Sequence, residues 1–529
     1  MGTIRLTAAP PAARPHPGPD SPATGDASRS RRAAARAPRL AELLLALPVF
    51  AAVWLGTLRQ LALLDSDYFW HLAVGRLILA GGIPTADPFS FTHAGAPWRP
   101  HQWLTEAGLA GAYGLAGHAG PVLLLALAAL ALWVTVYARA RQFGATRLAA
   151  LVLLLAGLIT VAPLLAPRPH LLLWLGAALT ALIVERALRD GSPRRLLWLP
   201  ALGVLWANLH TGAPPLMAGI AGLGALQAGW DRWRRGRASG GSRGHGGTGA
   251  LVRAACSLPL ALAGTAALVL AAGAATPAGL GGLALVGGTL ANAAPRALIE
   301  EWQSPDFHRA EFRPFEVMLL VGLVLAGWWG WRLDRFWPYG LLLAVGTASA
   351  GLESARHVPL FALLAGPWLA AVVPLREAPA PRPRRPVALA LVGLSLALVV
   401  AGGVMIGPLA LAARERAAFP AAAVDWLAAH GAGERRLVHE YDWGGYLIWR
   451  GLPVFVDGRA EVLYEPAFLF GARAALAAGP GWPDLLRRHG VDAALLRPET
   501  PLAAALSQAG WQVCWSDAQA VVLRPACAP

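Results

Sequence analysis

The stretch that decides the fold runs from Asp65 to Glu106 and reads DSDYFWHLAVGRLILAGGIPTADPFSFTHAGAPWRPHQWLTE. It follows the first long apolar run, residues 40–64. Carboxylates, histidines and tryptophans crowd together here, and Gly81-Gly82-Ile83-Pro84 sets a turn. Polar groups at a bilayer surface stay solvated and cost little. An acidic loop held against a membrane helix is therefore the place to expect chemistry.

The chain around this stretch is mostly apolar. Of 529 residues, 56% are hydrophobic and 14% charged, where a soluble protein carries about a quarter charged residues. Mean hydropathy is +0.49. Repeated apolar runs of about 20 residues make the fold class a polytopic α-helical membrane protein. The net charge of +15 does not point to nucleic acid, because the arginines sit in short loops between apolar runs. There is no lysine.

Residues 1–38 are rich in Ala, Pro, Gly, Ser and Arg without apolar period, and are expected to be a disordered cytoplasmic tail. Expected spans then follow at 40–64, 120–138, 148–166, 171–188, 196–209, 213–228, 254–272, 315–331, 336–352, 358–374 and 387–412, about eleven transmembrane helices. Arginine clusters fall on every second loop: Arg139 and Arg141, Arg194 and Arg195, Arg234 and Arg235, Arg332 and Arg335, Arg384 and Arg385. This places them on the cytoplasmic side. The first outer loop (65–118), a later one (274–314) and everything after residue 412 then lie outside. The expected location is the inner membrane of a bacterium.

Residues 413–529 change character. Short strands at 436–439, 453–456, 491–497, 511–515 and 520–523 alternate with helical stretches, so a small extracytoplasmic α/β domain is expected. Cys514 and Cys527 fall in this region and could bridge outside the cytoplasm, whereas Cys256 lies in an apolar helix.

Asp65 and Asp67 flank Ser66 just outside the first span. In an extended segment that spacing points both side chains the same way. Two hard oxygen ligands suit Mg²⁺ or Mn²⁺. The competing role is capping of a helix over 68–79. Asp87 follows the turn and could fold back toward the pair. His71, His101 and Glu106 share the loop, but interfacial histidines are more often structural than catalytic; Trp70, Trp98 and Trp103 suit an interfacial belt. The other outer loops contribute Arg168 and His170, Asn208 and His210, Glu300 and Glu301, and Arg356 and His357. Arginine at that depth can clamp a phosphate, and a carboxylate can activate an acceptor hydroxyl.

In this layout the chain resembles the GT-C superfamily of membrane glycosyltransferases, which use polyprenyl-phosphate or polyprenyl-pyrophosphate sugar donors. The resemblance rests on an acidic first outer loop directly after the first span, many spans and a C-terminal α/β region. It implies a catalytic or metal-binding role for Asp65 and Asp67, and by extension Asp87. It implies an acidic partner at Glu300 or Glu301 with a divalent metal, and a phosphate or acceptor contact at Arg356; Arg168, His170, Asn208, His210 and His357 join it as binding candidates by their place in the outer loops. No nucleotide cofactor is implied; the partners are a lipid-linked sugar, membrane lipids and an acceptor. Asp442-Trp443-Gly444-Gly445-Tyr446 is similar to the W-W-D-Y-G signature of oligosaccharyltransferases, but lacks the double Trp. The blocks DSDYFWHL, EEWQSPDF and WGGYLIW…PVFVDGRAEVLY look like a group of bacterial membrane proteins of unassigned substrate. The function classes in view are an inverting hexosyl or pentosyl transferase, a flippase of lipid-linked sugars, and a non-catalytic assembly protein with Asp457-Gly458-Arg459 as a contact loop.

Overall fold

The structure, a computed structural model, describes residues 40–238, 248–291, 293–330, 336–377, 383–431 and 436–527. The tail 1–38, most of the Gly/Ser/Arg linker after Arg237 and the side chain of Cys256 lie outside the described residues. Helix dominates. The order is α1 (Leu40–Leu61), α2 (Ser66–Gly81), α3 (Trp103–Ala116), α4 (Ala119–Phe143), α5 (Arg147–Val161), α6 (His170–Asp190), α7 (Trp198–Leu209) and α8 (Ala213–Ala238). Then come α9 (Thr248–Ala272), α10 (Leu280–Ala291), α11 (Arg313–Trp329), α12 (Trp337–Glu353), α13 (Gly366–Val372) and α14 (Arg385–Met405).

Each expected apolar run is largely helical among the described residues, with 387–412 broken at Ile406–Gly407, but six described helices are long and apolar enough to cross a membrane: Glu42–Leu61, Ala119–Phe143, Arg147–Leu164, His170–Asp190, Ala355–Val372 and Arg385–Met405. The figure of about eleven thus rests on shorter or less apolar helices for the remainder. Arg139 also departs from expectation. It was expected at a loop, but lies inside α4, fully buried. It meets Glu185 of α6 at 2.6 Å and donates to the carbonyls of Leu363 and Leu364. Those carbonyls lie in the π-helical turn Phe361–Ala365. A buried guanidinium needs several acceptors, and a wide turn leaves carbonyls available for it.

The stretch after α1 builds a platform. Asp65 caps α2, its side chain accepting from the Tyr68 amide at 2.9 Å. α2 packs on α3 so closely that a Cβ on Gly75 would fall 2.0 Å from the Glu106 carbonyl. Only glycine permits that approach.

The C-terminal region carries a four-stranded sheet in the order β1-β2-β4-β3, from β1 (Leu437–His439), β2 (Ala493–Leu496), β3 (Gln512–Ser516) and β4 (Val521–Arg524). β1 and β2 are parallel; the other pairs are antiparallel. β2 is buried along its length, as its unbroken apolar run requires of a central strand. Cys514 and Cys527 form a disulfide. The strand expected at 453–456 does not join this sheet. Val454 pairs with the loop between α2 and α3 instead: its amide donates to Phe89 O and its carbonyl accepts from Phe91 N, each at 3.1 Å. The loop supplies the backbone partners that the sheet would have offered.

The helix Gly444–Trp449 (α15) sits on the start of α2. The Gly445 amide donates to Ser66 Oγ at 3.1 Å, and a Cβ on Gly445 would lie 1.9 Å from the Ser66 carbonyl. Phe69, Phe419 and Tyr446 pack edge and face around this joint. The two regions therefore share one apolar core.

Candidate active site

The expected extended Asp65-Ser66-Asp67 segment is a helix start. The two carboxylates still converge, because the cap and the first turn of α2 both face Arg168. Arg168 lies between Pro167 and Pro169 in the loop before α6. Its Nε bonds Asp65 Oδ2, and its Nη1 stands 3.0 Å from Asp67 Oδ2 and 3.2 Å from Glu301 Oε1. Asp67 Oδ1 accepts from the Trp70 indole at 3.0 Å. Desolvation pushes the Asp67 carboxyl up to about 7; Arg168 pulls the other way, while Asp65 and Glu301 add to the rise.

A polar cavity of about 380 Å³ opens on this cluster. Asp67, Trp70, His71 and Arg168 line it on one side, and Glu300, Glu301, Arg356, Asp442 and Gly458 on others. A second, mainly apolar cavity of about 300 Å³ adjoins it. Leu173, Trp174, Leu216, Leu285, Val286 and Leu360 line the second. His101, Gln102, His170, His210, Glu301, Arg356 and Val462 belong to both walls. Arg356 lies over the Trp302 ring at 4.8 Å, which keeps its charge at the junction. The His210 ring is held by the Gly212 amide at 3.1 Å, and burial lowers its pKa, as neighbouring His101, Arg356 and His170 also do.

The sequence-derived candidates thus divide. Asp67, Arg168, His170, His210, Glu300, Glu301, Arg356 and His357 line one or both cavities. Asp65 reaches the cluster through Arg168. Asp87 is not brought there: it is buried, accepts from the Phe89 and Ser90 amides and pairs with Arg459 at 2.6 Å. Asn208 is also drawn elsewhere, accepting from Trp103 Nε1 at 2.7 Å and donating to Val204 and Ala275 carbonyls. Glu300 pairs with Arg309 and stays exposed. Among the described residues no group of three or more His, Cys, Asp or Glu is placed to hold a metal ion. Of the metal candidates Asp65, Asp67, Glu300 and Glu301, three surround Arg168, while Glu300 pairs with Arg309.

Two features named in the sequence take a place at the site that their local sequence did not give them. His71 Nδ1 and Glu106 Oε1 are 2.9 Å apart and buried together. Burial pushes the His71 pKa down and the Glu106 pKa up, so both favour their neutral forms. Gly458 is the other. A Cβ there would lie 1.9 Å from Asp67 Oδ1, so the Asp457-Gly458-Arg459 turn forms a lid of backbone over Asp67. The available signal was the tight D-G-R turn after an apolar run.

No protein-family model and no curated protein matches the sequence. Solved structures do match. The archaeal oligosaccharyltransferase AglB from Archaeoglobus fulgidus, solved with an inhibitory peptide and a dolichol-phosphate, aligns with a TM-score of 0.51 at 13% identity, over 86% of this chain and 69% of that one. ArnT from Cupriavidus metallidurans, bound to undecaprenyl phosphate, aligns with a TM-score of 0.50 at 16% identity, over 92% of this chain and 99% of that one. The chain therefore shares the fold of these two solved proteins.

Proposed function

We propose that this protein is a membrane glycosyltransferase that moves a hexosyl or pentosyl group from a polyprenyl-phosphate-linked donor to an acceptor hydroxyl or amide. The observation that carries this is the pair of adjoining cavities, one polar and one apolar, sharing the wall that holds Arg356, His170 and His210. Such a chamber suits a ligand with an anionic head and an isoprenoid tail. Arg356 would bind the phosphate by charge-assisted hydrogen bonds, and the apolar cavity would take the first isoprene units.

Asp67 is the proposed base. It lines the polar cavity and is held by Trp70 and Arg168. Its carboxylate takes the acceptor proton as the acceptor atom attacks the anomeric carbon. The bond from that carbon to the phosphate oxygen breaks, and the electron pair leaves with the lipid phosphate. A single displacement inverts the anomeric centre. The Cys514–Cys527 disulfide supports an extracytoplasmic C-terminal region, since such bonds persist in oxidising compartments. The arginine alternation supports a cytoplasmic N-terminus and a bacterial inner-membrane location.

The test is incubation of purified protein with labelled polyprenyl-linked sugars and extracted envelope acceptors, following donor consumption. Consumption by the native protein, lost in Asp67→Asn, is expected. No consumption of any donor, or undiminished turnover by Asp67→Asn, overturns the assignment.

A further inference from the structure

We infer that Arg168 is a built-in cation that takes the place of a divalent metal beside the proposed base, leaving the donor phosphate to Arg356. The catalytic consequence rests on the glycosyltransferase function proposed above; the binding behaviour does not.

The basis is a count of carboxylate oxygens. Asp65 Oδ1 is taken by the Tyr68 amide at 2.9 Å, and Oδ2 by Arg168 Nε. Asp67 Oδ1 is taken by Trp70 Nε1 at 3.0 Å, and Oδ2 faces Arg168 Nη1 at 3.0 Å. Both Glu301 oxygens point at the same Nη1, at 3.2 and 3.4 Å. Three carboxylates, two from the start of α2 and one from the segment around Glu301, thus meet on one guanidinium. Its planar fork offers donors in several directions and never loses its charge. Mg²⁺ would need near-octahedral oxygen ligands at about 2.0–2.1 Å and would keep several waters. The guanidinium fills that space, and the Gly458 backbone closes the side of Asp67 away from it, where even a methyl group would come within 1.9 Å of Oδ1.

Arg168 also carries one charge where a metal carries two, and three carboxylates already engage it. Little attraction remains for a donor phosphate. Arg356, at the junction of the two cavities, is better placed for that task. Arg168 is accordingly a positioning residue. It orients Asp67 and keeps the cluster from repelling itself.

The experiment is a Mn²⁺ titration of the purified full-length protein, read by loss of the free-ion electron paramagnetic resonance signal. Native protein, Arg168→Lys, Arg168→Ala and Arg168→Ala/Asp67→Asn are compared. Native protein and Arg168→Lys are expected to take up no Mn²⁺ at this site, and Arg168→Ala to gain one site. The double variant should weaken that new site about 10–100-fold. Where donor turnover is measurable, Arg168→Ala should lose about 100-fold without metal and regain part of it with Mn²⁺, whereas chelation leaves native turnover unchanged. One equivalent of Mn²⁺ bound by native protein and lost in Asp67→Asn overturns the inference, even if Arg168→Ala does not fold. So does a folded Arg168→Ala that gains no site. Because uptake is read without any donor, failure of the transferase assignment leaves this test intact.

Discussion

Two arginine–carboxylate centres stand a few residues apart in space and differ in one respect. Arg168 holds Asp65, Asp67 and Glu301, with side chains 21–38% exposed. Arg459 holds Asp457 and Asp87 with no exposure at all. Arg459 donates to both Asp457 oxygens and to Asp87, and Tyr464 adds a bond to Asp457 at 2.7 Å. Phe89 and Trp98 close over the guanidinium. Burial alone would raise the Asp457 pKa, but Arg459 holds it below the ordinary carboxylate range. Similar chemistry is thus put to two uses. A sealed cluster, with every lone pair assigned, fastens the C-terminal region to the loop between α2 and α3. An open one, with a carboxyl poised near neutrality, faces a ligand-sized space.

The sharpest way to break this comparison is to neutralise each centre in turn. Asp67→Asn keeps the shape and the Trp70 bond but removes the basic oxygen. Donor turnover should fall roughly 1,000-fold or more, while membrane insertion and the thermal midpoint barely change. Arg459→Ala should do the reverse in origin. It strands two buried carboxylates, at a cost of about 3–5 kcal/mol, seen as a lower unfolding midpoint and faster proteolysis of the C-terminal region. If Arg459→Ala left stability untouched, or Asp67→Asn unfolded the protein, the division between sealed and open centres would be wrong.

An acid titration separates the sealed region from ordinary carboxylate chemistry. His439 in β1 is buried, with Nδ1 2.8 Å from Glu440 O and Nε2 accepting from the Phe455 amide. Desolvation lowers its pKa from 6.5 to about 4, although the Glu440 carbonyl and Asp457 oppose the shift. Above 6.5 the imidazole is neutral in both folded and unfolded chains. Between there and about 4 the unfolded chain takes a proton that the folded one refuses, so stability falls as pH falls. The total loss is on the order of 3 kcal/mol. The Asp457 contribution is lost only below the ordinary carboxylate range. Denaturation midpoints of the C-terminal region from pH 7 to 4 should therefore slope downward in the native protein and flatten in His439→Gln.

Much of the scaffold was legible in the sequence because membrane helices announce themselves by composition. The expected apolar runs are largely helical among the described residues, and the cavity lining includes Asp67, Arg168, Glu301 and Arg356, drawn from separate segments. What failed did so where pairing across the fold decided the outcome. Asp87 has the same local appearance as Asp65, a carboxylate beside a turn, yet its partner Arg459 lies far along the chain. Arg139 looked like a loop arginine because nothing local reveals Glu185 and the wide turn at 361–365. The segment at 453–456 had strand chemistry, but its partner was a loop. The D-x-D spacing gave no sign that Arg168, about a hundred residues on, pairs with both carboxylates.

The smallest change with a clear outcome concerns Gly458, which joins the two centres. Its neighbours Asp457 and Arg459 belong to the sealed cluster, while its own backbone touches Asp67 of the open one. The position has no left-handed φ, so alanine is not excluded by backbone conformation. Its methyl would meet Asp67 Oδ1 at 1.9 Å and Trp70 Nε1 at 3.1 Å. Either the short Asp67 side chain swings aside or the turn lifts. A swing displaces the proposed base by about 1 Å, which lowers turnover by up to about 100-fold. The stability cost then stays near about 1 kcal/mol, because the sealed pair is untouched. If the turn lifts instead, Arg459 is pulled from Asp87 and the unfolding midpoint falls as it does in Arg459→Ala. Measuring turnover and midpoint on the same Gly458→Ala preparation therefore shows which centre yields. Loss of turnover at an unchanged midpoint is expected, since one side chain moves more cheaply than a turn tied down by two buried ion pairs.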